Sequence, residues 1–322
     1  GAGYLFPLGM TILHETYPPG RRGTAMGMFM FGMSFGPAIG PTLGGYLVEH
    51  LSWRAVFYIN FPIGLIALFS AAMTLPQGEK RQSKPLDLGG LMAMTSFVVT
   101  LLLAVSQVRD HGWGSTYIVS LLMVSFFSLI IFIIIELTYE APLLTLKIFT
   151  NIQFVLGAVV TFFESFTNFA MNFILSLFLQ QGLGLSAQHA GELLLPAAIV
   201  WGLTSLGSGR LSDMLEGRWL VIVGSLIASL VFMSFVNIDP WSSALTIIIL
   251  LIFRSFGRGF IQSPIMTVTM ASLPDHQVRL GAGVRGLLNS LGATFGIALT
   301  GFFLQQRIAI RTDALRENQL LG

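Results

Sequence analysis

Long apolar stretches with few or no charged residues recur along the whole chain, and they constrain its fold more than any other feature. In an α-helix, about 20 apolar residues cross the roughly 30 Å hydrocarbon core of a bilayer. The stretches predict membrane spans at residues 24–48, 55–75, 88–107, 116–135, 152–180, 190–208, 219–238, 242–270 and 283–304, with a tenth at residues 1–13. Each span should be helical, because lipid offers no hydrogen-bond partner to an unpaired backbone group.

The composition agrees with a chain that is solvated mainly by lipid. Of the 322 residues 54% are hydrophobic and 10% are charged, and the mean hydropathy is +0.78, whereas a soluble domain carries roughly 25% charged residues. A net charge of +2 gives no basic surface for nucleic acid. Cysteine is absent, and the five histidines do not pair at ligand spacing. We therefore predict an all-α integral membrane protein with no metal site and no cofactor.

The distribution of Lys and Arg among the short loops predicts the orientation of the spans. Alternate loops hold most of these residues, namely Arg21, Arg22, Lys80, Arg81, Lys84, Lys147, Arg210, Arg218 and Arg279. The opposite short loops hold only Arg54 and Arg109. The first set should therefore face the cytoplasm, which puts the tail at residues 305–322 outside.

An internal repeat relates the start of the chain to its end. Residues 1–45 align without gaps onto residues 257–301, and glycines coincide at several positions, such as Gly36 with Gly292 and Gly40 with Gly296. Both copies are expected to run from an outward-to-inward helix through a cytoplasmic loop to a return helix, which is a parallel repeat. The offset predicts that roughly three helices precede Gly1 and that one follows the chain, which gives fourteen in all.

Helix 24–48 carries glycine at every fourth position beside two prolines. Regular glycines make a smooth ridge that lets another helix approach closely, and prolines bend a helix where backbone bonds are lost. The ridge consists of Gly32, Gly36, Gly40 and Gly44, with Pro37, Pro41 and Gly45 beside it. A general helix-packing seam is the alternative interpretation.

These residues resemble the antiporter motif of drug exporters of the major facilitator superfamily. The stretch Trp53-Arg54-x2-Phe57-x-Ile59-Asn60-x-Pro62-Ile63-Gly64, and Ala190-Gly191 followed by Leu195-Pro196, are similar to its fourteen-span drug:proton antiporter branch of EmrB/QacA-like exporters. The resemblance implies two pseudo-symmetric helix bundles with a two-helix insertion between them. Residues 1–75 would be the remainder of the N-terminal bundle (helices 4–6), 76–146 the two additional helices with their cytoplasmic linkers, 147–304 five of the six C-terminal helices, and 305–322 an external segment.

A second motif, at the end of span 190–208, resembles the cytoplasmic gate motif of the same family, G-x-L-x-D-R-x-G-R. Here Met214 stands where that motif has Arg, and one residue is inserted before Gly217. The resemblance implies a gate formed by Gly209, Arg210, Asp213, Gly217 and Arg218, in which Asp213 pairs with Arg210 or Arg218. An ordinary solvated loop cluster is the alternative, since exposed ion pairs contribute only about 0–1 kcal/mol.

Polar residues at spacing four line two of the spans. Glu164, Asn168, Asn172, Ser176 and Gln180 share one face of helix 152–180, and Arg254, Arg258 and Gln262 share one face of helix 242–270. A carboxylate in lipid costs at least about 2.5–3.5 kcal/mol, so such a face should line water or protein. Glu164 is the candidate proton carrier, and a purely structural ion pair is the alternative. Arg285 and Asn289 form a shorter stripe for which we expect a capping or packing role.

Together these features predict proton-coupled export of amphiphilic drug-like compounds by alternating access across the cytoplasmic membrane of a bacterium. The alternative within transporters is an exporter of one defined metabolite or siderophore, and a membrane enzyme or a scaffold are alternatives from other classes. The chain has no G-x4-G-K-[ST] run, so ATP should not drive the cycle directly. The tail from Gln305 to Gly322 could contact a periplasmic adaptor protein, or could simply connect to a following helix.

Overall fold

The computed structural model describes residues 8–13, 16–74, 87–139, 146–236, 238 and 243–320. Within these ranges the chain is almost entirely helical and contains no strand. The α-helices are α1 (Arg22–His50), α2 (Ala55–Tyr58), α3 (Asn60–Thr74), α4 (Leu88–His111), α5 (Thr116–Thr138), α6 (Ile152–Leu177), α7 (Ala187–Met214), α8 (Gly217–Phe235), α9 (Ala244–Ala271) and α10 (Asp275–Leu320). Short 3-10 turns at Pro19–Arg21 and Leu146–Thr150 lead into α1 and α6, and a π-helical turn, Phe178–Gly182, ends α6.

Eight helical stretches of the described residues are long and apolar enough to cross a membrane. Their bounds are Ala55–Thr74, Leu88–Val108, Thr116–Thr138, Ile152–Gly182, Gln188–Met214, Gly217–Phe235, Leu245–Ala271 and Gln277–Ile308. They confirm an all-α membrane protein. Helix α1 is 29 residues long but is not one of the eight, because its glycines and prolines lower its hydropathy. The predicted span at 1–13 falls partly outside the described residues.

Local sequence explains where several helices begin and end. Asp87 and Ser115 each precede a helix and accept a backbone hydrogen bond from its first turn, over 2.8 Å from Gly90 N and 3.3 Å from Ile118 N. Such caps satisfy N–H groups that have no partner within the helix. Gly112 ends α4 with φ of +77°, a conformation that residues with a Cβ atom rarely adopt. The turn at Gly112 joins α4 and α5 into an antiparallel hairpin.

The chain divides into two compact units, and the first comprises Gly1–Glu15, Lys84–Leu175 and Val268–Gly322. In this unit α4 packs along α5 and against α10. Small hydroxyl side chains lie at the contact between α4 and α5: Ser96 Oγ is 3.0 Å from Ser128 Oγ, and Ser125 Oγ donates to Phe97 O over 3.2 Å. Small side chains of this kind let membrane helices approach closely.

The second unit comprises Thr16–Ser83 and Ser176–Thr267. Its main contact is between α1 and α7, which run antiparallel: a Cβ atom added to Gly27 would meet the backbone of Ser205, and one added to Gly45 would meet Gln188. Helices α8 and α9 are also in close contact, since a Cβ atom added to Gly224 would lie 2.6 Å from the carbonyl oxygen of Gly257. Backbones can therefore touch at these glycines.

Helix α10 differs from the predicted span at its end. We predicted a span that ends at residue 304, but the helix continues without a break to Leu320 and has 46 residues. At about 1.5 Å per residue it is about 69 Å long, which exceeds the roughly 30 Å hydrocarbon core. Its last part must therefore extend beyond the membrane. The division into residues 1–75, 76–146, 147–304 and 305–322 stays a prediction.

Candidate functional site

Glu164 lies on α6 in the first unit, at the junction of a buried and an exposed part of the predicted polar stripe. Its side chain is half-buried, and Asn168, one turn later, is only 7% exposed. Asn172, Ser176 and Gln180 are exposed, and Gln180 Nε2 donates to Ser176 Oγ over 3.0 Å. The stripe therefore enters the interior of the unit at Glu164 and Asn168.

Arg285 on α10 is the buried cation of this unit that interacts with Glu164. It is only 4% exposed, and its Nε donates a hydrogen bond to Thr161 Oγ1 over 3.0 Å. The Thr161 hydroxyl in turn donates to the carbonyl oxygen of Gly157 over 2.9 Å. Thr161 lies one turn before Glu164 on α6, so the hydrogen bond from Arg285 holds the guanidinium close to the Glu164 carboxyl group. A carboxyl group and a buried guanidinium therefore lie near each other within the apolar unit.

The same face of α6 continues toward Asn289 of α10. Ser165 Oγ donates to Asn289, lying 2.7 Å from its backbone oxygen and 2.9 Å from Oδ1. Beyond it, a Cβ atom on Gly292 would overlap the carbonyl oxygen of Phe162, and one on Gly296 would overlap that of Phe166. The two helices are therefore in backbone contact beside Glu164, as small residues at spacing four allow.

This network changes the roles that we expected for two residues. Arg285 and Asn289, for which we expected a capping or packing role, hydrogen-bond to Thr161 and Ser165, which lie on either side of Glu164 on α6. Sequence reasoning did not single out Thr161 or Ser165, because hydroxyl residues are common in membrane helices. Their position one turn before and one residue after the only carboxylate of α6 is the signal that could have identified them.

In the second unit, α9 brings Arg258 and Gln262 to Trp201 of α7. The guanidinium carbon of Arg258 lies 4.4 Å from the centroid of the Trp201 ring, and Trp201 Nε1 donates to Gln262 Oε1 over 3.0 Å. Trp201 is 6% exposed and Arg254, also on α9, is 8% exposed. The predicted polar face of α9 is therefore organised by a buried tryptophan that the spacing of polar residues could not reveal.

Asp213, at the end of α7, binds the beginning of α1. Its Oδ1 accepts from Gly23 N over 2.7 Å, and its Oδ2 accepts from Thr24 N over 2.8 Å and from Thr24 Oγ1 over 2.6 Å. The first N–H groups of a helix have no partner within it and carry partial positive charge. A carboxylate at this position accepts hydrogen bonds from these N–H groups and offsets their partial positive charge.

The hydrogen-bond partners that the structure gives Asp213 are therefore not the expected Arg210 or Arg218. Arg218 pairs instead with Glu216, both side chains being largely exposed, and Arg210 is exposed. The other gate residues are buried glycines: Gly217 begins α8, and a Cβ atom on Gly209 would overlap the backbone of Gly23. In this structure the motif joins α7 to α1 through helix capping and close packing.

The glycine ridge of α1 does not form the contact with α7. Among the described residues, a Cβ atom at Gly32, Gly36, Gly40 or Gly44 would meet nothing within 4 Å, whereas one at Gly45 would meet Gln188. Successive steps of four residues keep the ridge on one slowly turning face, and α7 packs on another, which includes Gly27 and Ser34. The backbone is helical at Pro37 and Pro41, whose side chains lie outside the described part. The role of the ridge stays a prediction.

The described residues hold no group of three or more His, Asp or Glu that could bind a metal ion.

Comparison with known proteins shows which protein family the chain resembles. A family model described as Major Facilitator Superfamily matches residues 1–297. Over 300 residues, covering 93% of this chain and 56% of the relative, the chain is 31% identical to the uncharacterized MFS-type transporter YhcA of Bacillus subtilis.

Two further relatives have names that state a transport or resistance function. The lincomycin resistance protein LmrB of Listeria innocua is 32% identical over 93% of this chain and 64% of its own length. The multidrug transporter protein MdtP of Bacillus subtilis is 29% identical over 98% of this chain and 59% of its own length. The chain thus spans between 56% and 64% of the length of these three relatives.

Proposed function

The chain belongs to the Major Facilitator Superfamily, as a multi-pass transporter chain of a bacterial cytoplasmic membrane, and we propose that it exports amphiphilic drug-like compounds in exchange for protons. Drug-like compounds are supported as substrates by the names of two relatives, the lincomycin resistance protein LmrB and the multidrug transporter protein MdtP. The single observation that carries the coupling to protons is the half-buried Glu164 beside the buried Arg285. Transporters of this superfamily are not enzymes, and the proposal requires no cofactor.

Glu164 is the proposed proton carrier because it is the carboxylate of α6 and lies one turn after Thr161, to which the buried Arg285 donates a hydrogen bond. An ionisable group inside a membrane protein is expensive and usually marks a proton or substrate path. Its half-buried position leaves the carboxyl group accessible while it stays within the network.

The contact between α6 and α10 offers a route by which protonation changes the structure. Thr161 and Ser165 flank Glu164 and bind Arg285 and Asn289, and Gly292 lets the backbones touch. Protonation of Glu164 would remove its negative charge and so weaken its attraction to Arg285 across the contact of the two helices. A proton can therefore bias the packing of α6 on α10, which an alternating-access cycle requires of a coupling site.

The contact of Asp213 with α1 supports a role as a cytoplasmic gate. Three hydrogen bonds hold the carboxylate to the first turn of α1, and charge-assisted bonds of this kind are stronger than neutral ones. All of them depend on one side chain at the end of α7. We propose that the gate opens when this cap separates from α1.

An exporter of one defined metabolite or siderophore is the second candidate, and the cluster of Trp201, Arg258 and Gln262 favours it. A guanidinium over an indole ring presents a cation beside a flat apolar face. Such a pair suits an anionic or zwitterionic ligand with an aromatic part. This candidate shares the coupling through Glu164 and differs only in the range of compounds carried.

A contact with a periplasmic adaptor remains part of the proposal for the end of α10. The helix continues to Leu320, well beyond residue 304, and Arg307 and Arg311 on it are exposed. A charged helical extension of this kind is suited to bind a partner outside the membrane.

Transport by the full-length protein in inverted membrane vesicles tests the proposal. A pH-sensitive dye reports proton release while a panel of amphiphilic cations and weak acids is added. Several unrelated cations that each release protons would support multidrug antiport. A response to one compound class alone would favour the metabolite exporter, and accumulation without proton movement would contradict antiport.

A further inference from the structure

A groove of about 650 Å³ lies within the first unit, on the contact of α10 with the hairpin of α4 and α5. Its walls include Met94 and Val98 of α4, Phe132 of α5, and Gly283 and Leu287 of α10. The volume lies within the roughly 300–1,000 Å³ of pockets that bind small molecules. Neither Glu164 nor the network around it lines this groove.

The groove opens to the surface of the unit along an apolar wall. Val99, on its rim, is 47% exposed, and Gly283 is exposed. From Arg279 to Leu287 the lining extends over about 12 Å of α10, at about 1.5 Å per residue. Because all three helices are membrane spans, the opening is accessible to the acyl chains of lipids.

One end of the groove is charged. Arg279, the fifth residue of α10, is exposed and is the only charged side chain among the lining residues that the structure describes. A guanidinium has five N–H donors in a planar fork that matches phosphate, so it can bind a phosphate in addition to other partners. Arg279 is also one of the basic residues that we predict to face the cytoplasm, and anionic lipids are enriched in the cytoplasmic leaflet.

We propose that this groove binds an anionic phospholipid of the cytoplasmic leaflet, with the phosphate on Arg279 and an acyl chain along Met94, Val98, Phe132 and Leu287. Basic pockets between membrane helices on the cytoplasmic side bind anionic headgroups in this manner. The charge at one end and the apolar wall match the two parts of one lipid molecule. This site is independent of the proposed transport activity.

Gly283 provides a substitution that fills the groove without disturbing the fold. A Cβ atom added there would meet nothing within 4 Å, so Gly283→Leu projects into the groove rather than into a packed helix. Gly286, one turn further along α10, is equally open but does not line the groove. Gly286→Leu is therefore the matched control.

The test is native mass spectrometry of the full-length protein incubated with phosphatidylglycerol or with phosphatidylcholine. We expect one phosphatidylglycerol to remain bound to the wild type and to Gly286→Leu. Arg279→Gln should lower the preference for phosphatidylglycerol over phosphatidylcholine about five-fold, the effect of one basic residue at an anionic surface. Gly283→Leu should reduce the retention of both lipids to that of loosely adhering lipid.

Three outcomes would overturn the proposal. They are retention of phosphatidylglycerol by Gly283→Leu at the wild-type level, equal binding of both lipids by the wild type, and an unchanged preference in Arg279→Gln. If Gly283→Leu is not expressed, Val99→Trp closes the same groove from α4 and must give the same loss.

Discussion

The Nε atom of Arg285 donates a hydrogen bond over 3.0 Å to Oγ1 of Thr161, three residues before Glu164 on the same helix. Arg285 is buried, and the hydrogen bond holds it close to Glu164. A buried cation needs both hydrogen bonds and an opposite charge, because its desolvation costs several kcal/mol. We propose that this pair links the protonation of α6 to the position of α10.

The first prediction concerns the energetic coupling of Glu164 and Arg285. In a double-mutant cycle with Glu164→Gln and Arg285→Gln, the double variant should be more stable than the sum of the two single effects indicates. The coupling should be about 0.5–3 kcal/mol, as for residues in one network, in the free energy of unfolding measured in micelles. Additive effects would show that the two charges do not act on each other.

The second prediction concerns the contact of α6 with α10. Gly292→Ala adds a methyl group that overlaps the Phe162 carbonyl oxygen, so the helices must separate. We expect a loss of about 1–3 kcal/mol in the free energy of unfolding. Gly286→Ala adds the same group where nothing lies within 4 Å, and it should be neutral or stabilise the helix by about 0.5–1 kcal/mol. Equal effects of both substitutions would rule out the close contact.

The third prediction concerns the cap at the start of α1. Asp213→Ala removes three hydrogen bonds to Gly23 and Thr24 and should cost about 0.5–2 kcal/mol of stability. Asp213→Asn should retain only part of it, because the amide has one acceptor oxygen whereas the carboxylate accepts through both. Glu216→Ala, which removes only an exposed pair with Arg218, should change stability by less than about 1 kcal/mol. A loss in Glu216→Ala as large as in Asp213→Ala would contradict the cap.

The fourth prediction concerns Trp201. Trp201→Leu removes both the aromatic face under Arg258 and the donor to Gln262, whereas Trp201→Phe removes only the donor. If the cluster binds substrate, Trp201→Leu should raise the KM for export of an aromatic anion about two- to five-fold, corresponding to about 0.5–1 kcal/mol. Trp201→Phe should raise it less. An unchanged KM in Trp201→Leu would exclude the cluster from the substrate site.

The spans were predictable from the sequence because a membrane helix needs a long apolar stretch, which is a local property. The end of α10 was not, since a polar helix such as that beyond residue 304 has no apolar pattern to distinguish it from a loop. The family was predictable from the glycines of α1 and from the motif after Trp53, whose spacing is specific.

The partners of the site residues could not be read from the sequence, because helical spacing gives the face of a residue and not the neighbouring helix. Spacing put Glu164 on a polar face but gave no indication that Arg285, far away in the chain, lies near it. The gate motif suggested arginine partners for Asp213 within its own loop, whereas the free N–H groups that it binds begin α1. Trp201 had no polar pattern that could mark it.

The central claim is that Glu164 couples transport to protons, and substrate-dependent proton release by Glu164→Gln tests it most directly. The measurement uses the full-length protein in inverted vesicles at matched expression, with Glu216→Gln as the control for loss of an exposed carboxylate. We expect wild type and Glu216→Gln to release protons when substrate is added, and Glu164→Gln to release none. Proton release by Glu164→Gln at the wild-type rate would contradict the account.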